Sequence, residues 1–272
     1  MRRLPAAAKL NLALVVGATR PGGKHEVTTV LQRIDLADRV ALEPSDRLEV
    51  TGFAEDTLVR RALERLADAA GVEARWRAQI VKRVPIAAGL AGGSSDAATA
   101  LRLGNESLDR PLPPEELSRL ASGLGADVPF FLAPGPQLGQ GDGSELSPLD
   151  LPQDFWVVVL LPEGQTKAST AAVYAGFDAR DGALGYERRR ARLLETLARV
   201  RRPRDLADLP PNDLASSPFA GELLASGAFR ADVTGAGPAL YGLFLHRAEA
   251  QSAARALRRH GRTWLSVPTW YF

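Results

Sequence analysis

The 272-residue sequence contains no cysteine and only three histidines, which stand far apart in the chain. The missing cysteine excludes disulfides, thiolate catalysis, iron–sulfur clusters and cysteine-ligated zinc in any compartment. The scattered histidines, with no HExxH pattern, argue against a histidine-built metal centre. Lysine is also scarce, because only four of the 34 basic residues are lysines: Lys9, Lys24, Lys82 and Lys167. Each of these lysines therefore calls for a physical explanation.

The sequence also lacks a strong net charge and long hydrophobic runs. Its 34 basic and 32 acidic residues give a formal charge of +2, which provides no strong overall attraction to nucleic acid or membrane. The apolar stretch from Arg2-Arg3 to Val16 is similar to a secretory signal, but Lys9 and Asn11 interrupt it. No apolar run has transmembrane length. The sequence predicts a soluble, cytoplasmic, globular protein without nucleic-acid or membrane partners, and it leaves the oligomeric state open.

Hydrophobic periodicity predicts alternating strands and helices. Residues 4–16 alternate as a strand does, which places Lys9 and Asn11 on one face. A Pro/Gly-rich stretch over 133–153 indicates a domain junction or surface loop, and Phe155 begins a second strand-and-helix series. In the first half we also expect one or two strands over 38–52, a helix from 58 to 70 ended by Gly71, a strand over 74–84, and a helix opening at Ser94-Ser95-Asp96.

Residues 187–204 carry eight arginines and two glutamates. This local charge is compatible with a nucleic-acid patch. Leu193, Leu194 and Leu197 nevertheless keep helical spacing, so the arginines are better explained as the solvated face of an amphipathic helix.

The glycine-rich turn over 85–93 lies between a predicted strand and a predicted helix start. Glycines allow positive φ and close approach to a ligand, and a helix start offers free N–H groups, so together they can hold an anion. Ser94 and Ser95 add hydroxyls that could cap the helix or bind phosphate and Mg²⁺. The segment is neither a Walker A loop nor a G-x-G-x-x-G motif. A glycine turn followed by an ordinary helix cap remains the alternative.

Asp127 lies between a small-residue turn and Pro129. It could be a turn or helix-capping aspartate, or it could accept a substrate hydroxyl proton during phosphoryl transfer. Lys9 is its natural partner, although it could also be a solvent-facing strand residue. The segment Thr234–Pro238, between apparent strands over 229–234 and 239–245, indicates a tight hairpin, which in a kinase would border the phosphate site.

Taken together, Ala8-Lys9-Leu10-Asn11-Leu12, the 85–99 loop and Gly125-Ala126-Asp127-Val128-Pro129 resemble the GHMP small-molecule kinases. Asn212-Asp213 and Gly235-Ala236-Gly237 extend the likeness over nearly the whole chain. The resemblance implies an α+β fold of two domains with a cleft between them. The ATP-binding and catalytic domain, over 1–152, would be like domain 2 of ribosomal protein S5, and the substrate-binding domain, over 153–272, would be ferredoxin-like.

The resemblance also implies an ATP- and Mg²⁺-dependent kinase. The most similar members phosphorylate the 2-hydroxyl of a cytidine diphosphate-linked methylerythritol in the non-mevalonate isoprenoid pathway. By that likeness Asp127 takes the hydroxyl proton, Lys9 orients Asp127 and stabilises charge, and Asn11, His25, Thr170 and Tyr174 bind substrate. No dedicated side chain holds the metal, apart from a possible role for Ser95. ATP would be bound by Lys82, Pro85, Ile86, Ala87, Ala88, Gly89, Leu90, Ala91, Gly92, Gly93, Ser94, Ser95 and Asn105.

Two departures from the family pattern carry expectations of their own. Lys24 stands where the family has a tyrosine, so Tyr174 should bear more of the cytosine stacking. Ala87 and Ala91 replace common loop glycines, and because alanine at positive φ costs roughly 1 kcal/mol, we expect ordinary negative φ at both. The alternative functions are another GHMP kinase, of the homoserine or mevalonate type, and a non-catalytic RNA-binding module of the same fold.

Overall fold

The structure is a computed structural model that describes residues 1–53, 58–165 and 169–270. The first half begins with a long strand pair, β1 and β2, which are antiparallel along nearly their whole length. Strand β1 is buried on both faces through most of its length, which explains why its sequence is almost continuously apolar. The elements of this half, in chain order, are β1 Arg2–Thr19, β2 His25–Pro44, β3 Glu49–Thr51, α1 Leu58–Ala70, β4 Trp76–Val81, α2 Gly92–Asn105, α3 Pro114–Ser122, β5 Gln137–Gln140 and β6 Glu145–Pro148.

The first sheet has the strand order β3-β4-β2-β5-β6, with β1 paired to β2. Helices α1 and α2 pack on each other, and α2 also packs on β1 and β2. Helix α1 buries Val59, Leu63 and Leu66 at helical spacing, and Gly71 follows its last residue at φ +66°. The sheet and α1 therefore fix the position of α2, which begins at the glycine-rich turn.

The second half forms its own antiparallel sheet in the order β10-β7-β9-β8. This order, with α7 connecting β9 to β10, is the ferredoxin-like arrangement that the resemblance implied. The elements are β7 Trp156–Pro162, α4 Thr170–Asp178, α5 Tyr186–Leu197, α6 Phe219–Ala225, β8 Arg230–Val233, β9 Leu240–Phe244, α7 Arg247–Ala256 and β10 Gly261–Ser266.

The two halves share a hydrophobic core. Leu10 and Leu12 of β1 belong to the same buried cluster as Val157, Val159 and Tyr241 of the second sheet. The hydroxyl of Tyr241 donates to the backbone oxygen of Leu12 at 3.1 Å. Strand β1 therefore carries residues of the first half directly against the second half. The last strand of the first sheet ends at Pro148, and the first strand of the second sheet begins at Trp156. The division into domains 1–152 and 153–272 stays a prediction.

Two local expectations differ from the structure. The stretch over 133–153 contains the hairpin β5–β6 rather than only loop, because Gln137–Gln140 pairs with Glu145–Pro148 and β5 also pairs with β2. Strand β2 begins at His25, well before residue 38. Across the three described ranges, no helix is both long and apolar enough to cross a membrane.

Candidate active site

A cavity of about 490 Å³ lies between β1, the glycine-rich turn and helix α4. Lys9 and Asp127, which are far apart in sequence, both line it. Most of the 85–93 turn lines it too, together with Gly235 and Ala236 of the 234–238 segment. The three motifs that the sequence analysis singled out therefore meet at one cavity, which we call the main cavity.

Lys9 is held in place by its neighbours on the strand. Its ammonium donates to Asn11 Oδ1 at 2.5 Å, as expected for residues on one face of β1. Asn11 Nδ2 in turn donates to Thr29 Oγ1 at 2.8 Å, and the Asn11 backbone N–H donates to Thr234 Oγ1 at 3.0 Å. A Cβ atom built on Gly235 would lie 3.2 Å from Lys9 Nζ. The hairpin between β8 and β9 thus borders the ammonium, and Lys9, at 4% exposure, is not a solvent-facing strand residue.

Asp127 lies in the turn before the short 3₁₀ helix Pro129–Phe131. No side chain caps that helix, so the alternative role of Asp127 as a helix cap is not realised. Burial, together with the negative charge of Asp127, raises the pKa of Tyr174 to about 12. Asp127 and Tyr174 therefore interact electrostatically, and both line the main cavity.

The glycine-rich turn is strained where the sequence has alanine. Ala87 and Ala91 have φ of +54° and +53°, so the expectation of ordinary negative φ at these two residues is wrong. Contacts with other segments impose positive φ here, although alanine by itself prefers negative φ. The turn is fixed on one side by the Lys9 N–H, which donates to Leu90 O at 3.1 Å, and on the other by the Ala239 N–H, which donates to Ala88 O at 3.2 Å.

Helix α2 begins at Gly92, two residues before the predicted start, and its cap residue Ala91 makes no side-chain hydrogen bond. The first N–H groups of a helix have no intrahelical partner, and those of α2 open at the main cavity, where Gly92, Gly93 and Ser94 form part of the wall. Ser95 does not. Its side chain is 1% exposed and lines a separate cavity, so it is placed apart from the proposed phosphate and Mg²⁺ sites.

Lys82 lines the main cavity but is bound by two buried carboxylates. Its ammonium lies 2.5 Å from Asp38 Oδ2 and 2.7 Å from Asp96 Oδ2. Burial alone would lower the pKa of Lys82, but the charges and hydrogen bonds of Asp96 and Asp38 outweigh it and raise the pKa. Asp38 also accepts from the Val84 backbone N–H at 2.8 Å. Lys82 therefore anchors the segment that leads into the glycine-rich turn.

Asn105 is not brought to the cavity. It is the last residue of α2, a helix that is about 20 Å long. Its side chain is bound to the backbone N–H and carbonyl oxygen of Leu112 at 2.7 and 3.1 Å. The helix places Asn105 far from the turn at its other end, and a contact between Asn105 and adenosine stays a prediction.

The residues expected at the nucleotide end lie together beside the cavity. Thr170 and Tyr174, on α4, line it. The His25 ring lies against Tyr174 with ring centroids 4.6 Å apart, and His25 Nε2 is 2.8 Å from Asp178 Oδ1. His25 itself is not part of the cavity wall. Substrate contact by His25 stays a prediction.

Three further residues of the site were not found from the sequence. Asp142 lines the edge of the main cavity, which we call the rim, and its Oδ2 lies 2.5 Å from the Lys24 ammonium. Lys24 therefore contacts the cavity wall through Asp142. Thr29 orients Asn11, and Phe53 lies with its ring centroid 5.6 Å from Lys82 Nζ. Asp142 sits in the stretch interpreted as a loop, and Thr29 and Phe53 carry no motif. Only the tertiary contacts identify them.

Known protein families and relatives are similar to this chain over most of its length. The chain matches the GHMP kinases N-terminal domain over residues 57–135 and the GHMP kinases C-terminal domain over 219–263. It is 37% identical to a 4-diphosphocytidyl-2-C-methyl-D-erythritol kinase of Moorella thermoacetica, over 96% of this chain and 95% of that protein. The corresponding kinase of Anaeromyxobacter sp. is also 37% identical, over 93% of this chain and 85% of the relative.

Solved structures show the same relationship. A crystal structure of 4-(cytidine 5'-diphospho)-2C-methyl-D-erythritol kinase superposes with a TM-score of 0.80 at 34% identity, covering 98% of this chain and 99% of that one. A mevalonate kinase structure superposes with a TM-score of 0.72 over 98% of this chain and 99% of that one, but at 12% identity it shows the shared fold alone. The chain therefore belongs to the GHMP kinases and, within them, to the 4-diphosphocytidyl-2-C-methyl-D-erythritol kinase family.

Proposed function

We propose that the protein transfers the γ-phosphoryl group of ATP to the C2 hydroxyl of 4-diphosphocytidyl-2-C-methyl-D-erythritol. One observation carries the proposal. Lys9 and Asp127, on separate elements of the chain, line the same cavity as the glycine-rich turn and the N-terminus of α2. This places a cation, a carboxylate and an anion-binding turn around one space, which is what phosphoryl transfer requires.

ATP is assigned to the glycine-rich side of the main cavity. The exposed backbone from Pro85 to Gly93 and the free N–H groups of α2 would hold its phosphates. Leu90 is buried and does not line the cavity, so it supports the turn from behind, and Lys82 shapes the wall. Phe53, beside Lys82, offers an aromatic surface for the adenine. Asn105 and Ser95 are left out of this assignment.

Mg²⁺ fits the donor set of the cavity. The ion is usually held by one or two protein oxygens together with substrate phosphates and water. The Ser94 hydroxyl and the Asp127 carboxylate both line the cavity and are suitable oxygens. Within the described residues, no group of three or more His, Cys, Asp or Glu side chains could hold a metal ion by itself. When bound, Mg²⁺ would neutralise phosphate charge.

In the proposed reaction the acceptor oxygen forms a bond to the γ-phosphorus while the bond from phosphorus to the β–γ bridging oxygen breaks. The hydroxyl proton moves to a carboxylate oxygen of Asp127, and ADP leaves. Lys9, beside Asn11, stabilises the negative charge on the transferred group and orients Asp127. Asn11 positions the acceptor, and Thr170 and Tyr174 with His25 bind the cytidine end.

The test is ADP release that depends on 4-diphosphocytidyl-2-C-methyl-D-erythritol. We expect Asp127→Asn to lower kcat by about 10²- to 10⁴-fold, the usual contribution of a general base. Lys9→Ala should likewise abolish most of the transfer, whereas both variants should still bind ATP. Asp109→Asn, on an exposed turn, is the matched control and should retain full activity. Full activity of Asp127→Asn would refute the proposed mechanism.

Candidate acceptors distinguish this proposal from other GHMP kinases. Homoserine and mevalonate lack a cytidine, so they should support little ADP release. If either were a better acceptor than the cytidine diphosphate-linked alcohol, the substrate assignment would be wrong.

We further propose that the protein works in the cytoplasm, where ATP is available, and acts on a small molecule without a nucleic-acid or membrane partner. Helix α5 is consistent with the interpretation of its arginines as the outer face of an amphipathic helix, because Leu193 is buried while Arg189 is paired with Asp213 at 3.0 Å. Salt-sensitive RNA binding that survives Asp127→Asn would instead favour the RNA-binding module.

A further inference from the structure

Arg33 of β2 is placed between the two proposed reacting groups. In the β1–β2 ladder it is the direct cross-strand partner of Lys9, and directly opposite residues have Cα atoms about 4.5–5.5 Å apart. Its side chain is 5% exposed and reaches the turns that follow Asp127. Arg33 is not part of the main cavity wall, so any effect of Arg33 on the reaction is transmitted through other residues.

The guanidinium of Arg33 is bound to three backbone carbonyl groups. One terminal nitrogen donates to the oxygens of Phe130 and Ala133, the latter at 2.5 Å. The other terminal nitrogen donates to the oxygen of Trp270 at 3.3 Å. Carbonyl groups at the end of a helix have no following turn to bond them, and Arg33 supplies donors at the end of the 3₁₀ helix Pro129–Phe131. The positive charge makes these hydrogen bonds stronger than neutral ones.

Arg33 is itself held in place from two sides. Its backbone oxygen accepts from the Thr269 N–H at 3.1 Å. Its guanidinium carbon lies 4.8 Å from the centroid of the Phe130 ring, and Phe130 is fully buried in the core of the first half. A side chain that is locked by packing and hydrogen bonds can hold its neighbours in a fixed geometry.

Hydrogen-bonded turns join the carbonyl groups that Arg33 binds to Asp127. The Val128 N–H donates to the Gly125 oxygen at 3.1 Å, and the Phe131 N–H donates to the Val128 oxygen at 3.1 Å. Asp127 lies inside the first of these turns, and Phe130 lies inside the second. A shift of the Phe130 carbonyl is therefore passed on to Asp127.

We propose that Arg33 is a positioning residue of the phosphoryl transfer, which holds Asp127 in place relative to Lys9 by fixing the turns behind the carboxylate. This role rests on the proposed function, because it requires Asp127 to act as the base. A misplacement of about 1 Å can lower the rate of a catalysed step about 100-fold. Arg33 therefore contributes to kcat without contacting ATP or the acceptor.

The first experiment replaces Arg33 by lysine. Arg33→Lys keeps the positive charge, but its ammonium ends one bond short of the nitrogen that binds Phe130 and Ala133. A second cavity, of about 270 Å³, is lined by Arg33 together with Arg102 of α2 and leaves room for the change. We expect kcat per ATP-binding site to fall about 10- to 100-fold, with both KM values within about twofold of the wild type. Arg33→Met, which lacks all the donors, should lose at least as much. A wild-type kcat in either variant, or a loss confined to KM, would overturn the proposal.

Arg230→Lys is the matched control. Arg230, on β8 of the second sheet, is 6% exposed and also donates to backbone carbonyl groups, those of Leu209 and Pro210 at 2.6 and 2.9 Å. This variant should lose stability, as any disturbed buried arginine does, but should keep its kcat per ATP-binding site. An equal loss of kcat in Arg230→Lys and Arg33→Lys would show a general effect of replacing a buried arginine, and would overturn the proposal.

A double variant tests whether Arg33 acts through Asp127. Single-turnover kinetics compare Arg33→Lys in the wild type and in Asp127→Asn. Once the carboxylate is removed its position no longer matters, so Arg33→Lys should lower the residual rate of Asp127→Asn by less than about threefold. The same fold loss in both backgrounds would mean that Arg33 affects the reaction by another route, and would contradict the positioning role.

Amide hydrogen exchange tests the structural step without turnover. The N–H groups of Phe131, Leu132 and Ala133, which are bonded within these turns, should exchange at least about 10-fold faster in Arg33→Lys, the usual contribution of one charged hydrogen bond. Arg230→Lys should leave their exchange unchanged. Unchanged exchange in Arg33→Lys would overturn the proposal. This measurement needs no acceptor, so its failure is distinct from failure of the proposed kinase activity, which wild-type ADP release tests.

Discussion

Gly89 and Gly237 lie backbone against backbone, so that a Cβ atom built on Gly237 would be 2.2 Å from the backbone nitrogen of Gly89. The glycine-rich turn of the first half and the β8–β9 hairpin of the second half are therefore in direct contact. No side chain fits between them. This contact holds the two sides of the proposed phosphate site at a fixed distance.

The first prediction concerns that contact. Gly237→Ala should push the hairpin from the turn, weaken ATP binding and lower the free energy of unfolding by about 1–3 kcal/mol. Gly221→Ala is the control, because nothing lies within 4 Å of a Cβ built there and Gly221 is in helix α6. It should be neutral or stabilise by about 0.5–1 kcal/mol. Urea unfolding and ATP titration measure both effects, and equal behaviour of the two variants would contradict the prediction.

The second prediction concerns the strained alanines. Ala91→Gly removes the cost of a left-handed alanine, roughly 1 kcal/mol, but adds a similar entropic cost in the unfolded chain. We expect its free energy of unfolding to stay within about 0.5 kcal/mol of the wild type. Ala88→Gly, at a buried residue without positive φ, should instead destabilise by about 1 kcal/mol. Denaturant unfolding compares them, and a larger loss for Ala91→Gly would argue against the left-handed geometry.

The third prediction concerns the buried lysine. Lys82→Met removes the ammonium that pairs with both Asp38 and Asp96, and should lower the free energy of unfolding by about 3–5 kcal/mol. Adding Asp96→Asn should recover part of this loss, because it removes one of the two like charges. Urea unfolding of the single and double variants measures the coupling. An additive double variant would mean that the three groups do not interact.

Lys82 also gives the wild type a pH dependence with a definite sign. Its pKa is raised above 10.5 in the folded protein, so its contribution to stability is complete below pH 10.5 and is lost as the pH rises through the folded value. Urea unfolding in alkaline buffers should show a loss of stability in this range for the wild type, and a smaller one for Lys82→Met.

The fourth prediction concerns the cavity rim. Burial would raise the pKa of Asp142, but hydrogen bonds from Lys24 and Ser144 outweigh it and lower the pKa to about 2. Because the folded pKa is depressed, this carboxylate contributes stability above about pH 4, and the contribution is lost as the pH falls towards 2. Lys24→Gln should move the pKa back towards 3.8, which an NMR titration of the carboxyl carbon would detect. An unchanged pKa would rule out the Lys24 contact.

Short-range sequence patterns, such as apolar spacing and a flanking glycine, predicted the helices and hairpins that depend on neighbouring residues alone. Helix α1 was predicted from its apolar spacing and from Gly71, and the β8–β9 hairpin from apolar runs flanking the 234–238 segment. Hairpin β5–β6 was missed, because glycine and proline in the 133–153 stretch hide its pairing partners, one of which is the distant strand β2.

The site residues also divide into those marked by a sequence motif and those whose position depends on the tertiary structure. Lys9, Asn11 and Asp127 were singled out because residue type and motif mark them, and all three line the main cavity. Ser95 lines a different cavity from the one the motif suggested, since only the rotation of α2 decides which cavity a helical side chain faces. Asn105 lies away from the glycine-rich turn because the length of that helix separates them.

By itself, the amino-acid order determined the alternation of strands and helices, the glycine-rich turn before α2, and the exclusion of cysteine and histidine-cluster chemistry, because each depends on residue type or short-range spacing. The folded chain alone decided that Ala87 and Ala91 adopt left-handed φ and that Asp142 lines the cavity. It also brought Arg33 of β2 and Arg102 of α2 to one second cavity. These outcomes depend on contacts between segments far apart in sequence, and the free energy of packing outweighs the local preferences that a sequence displays.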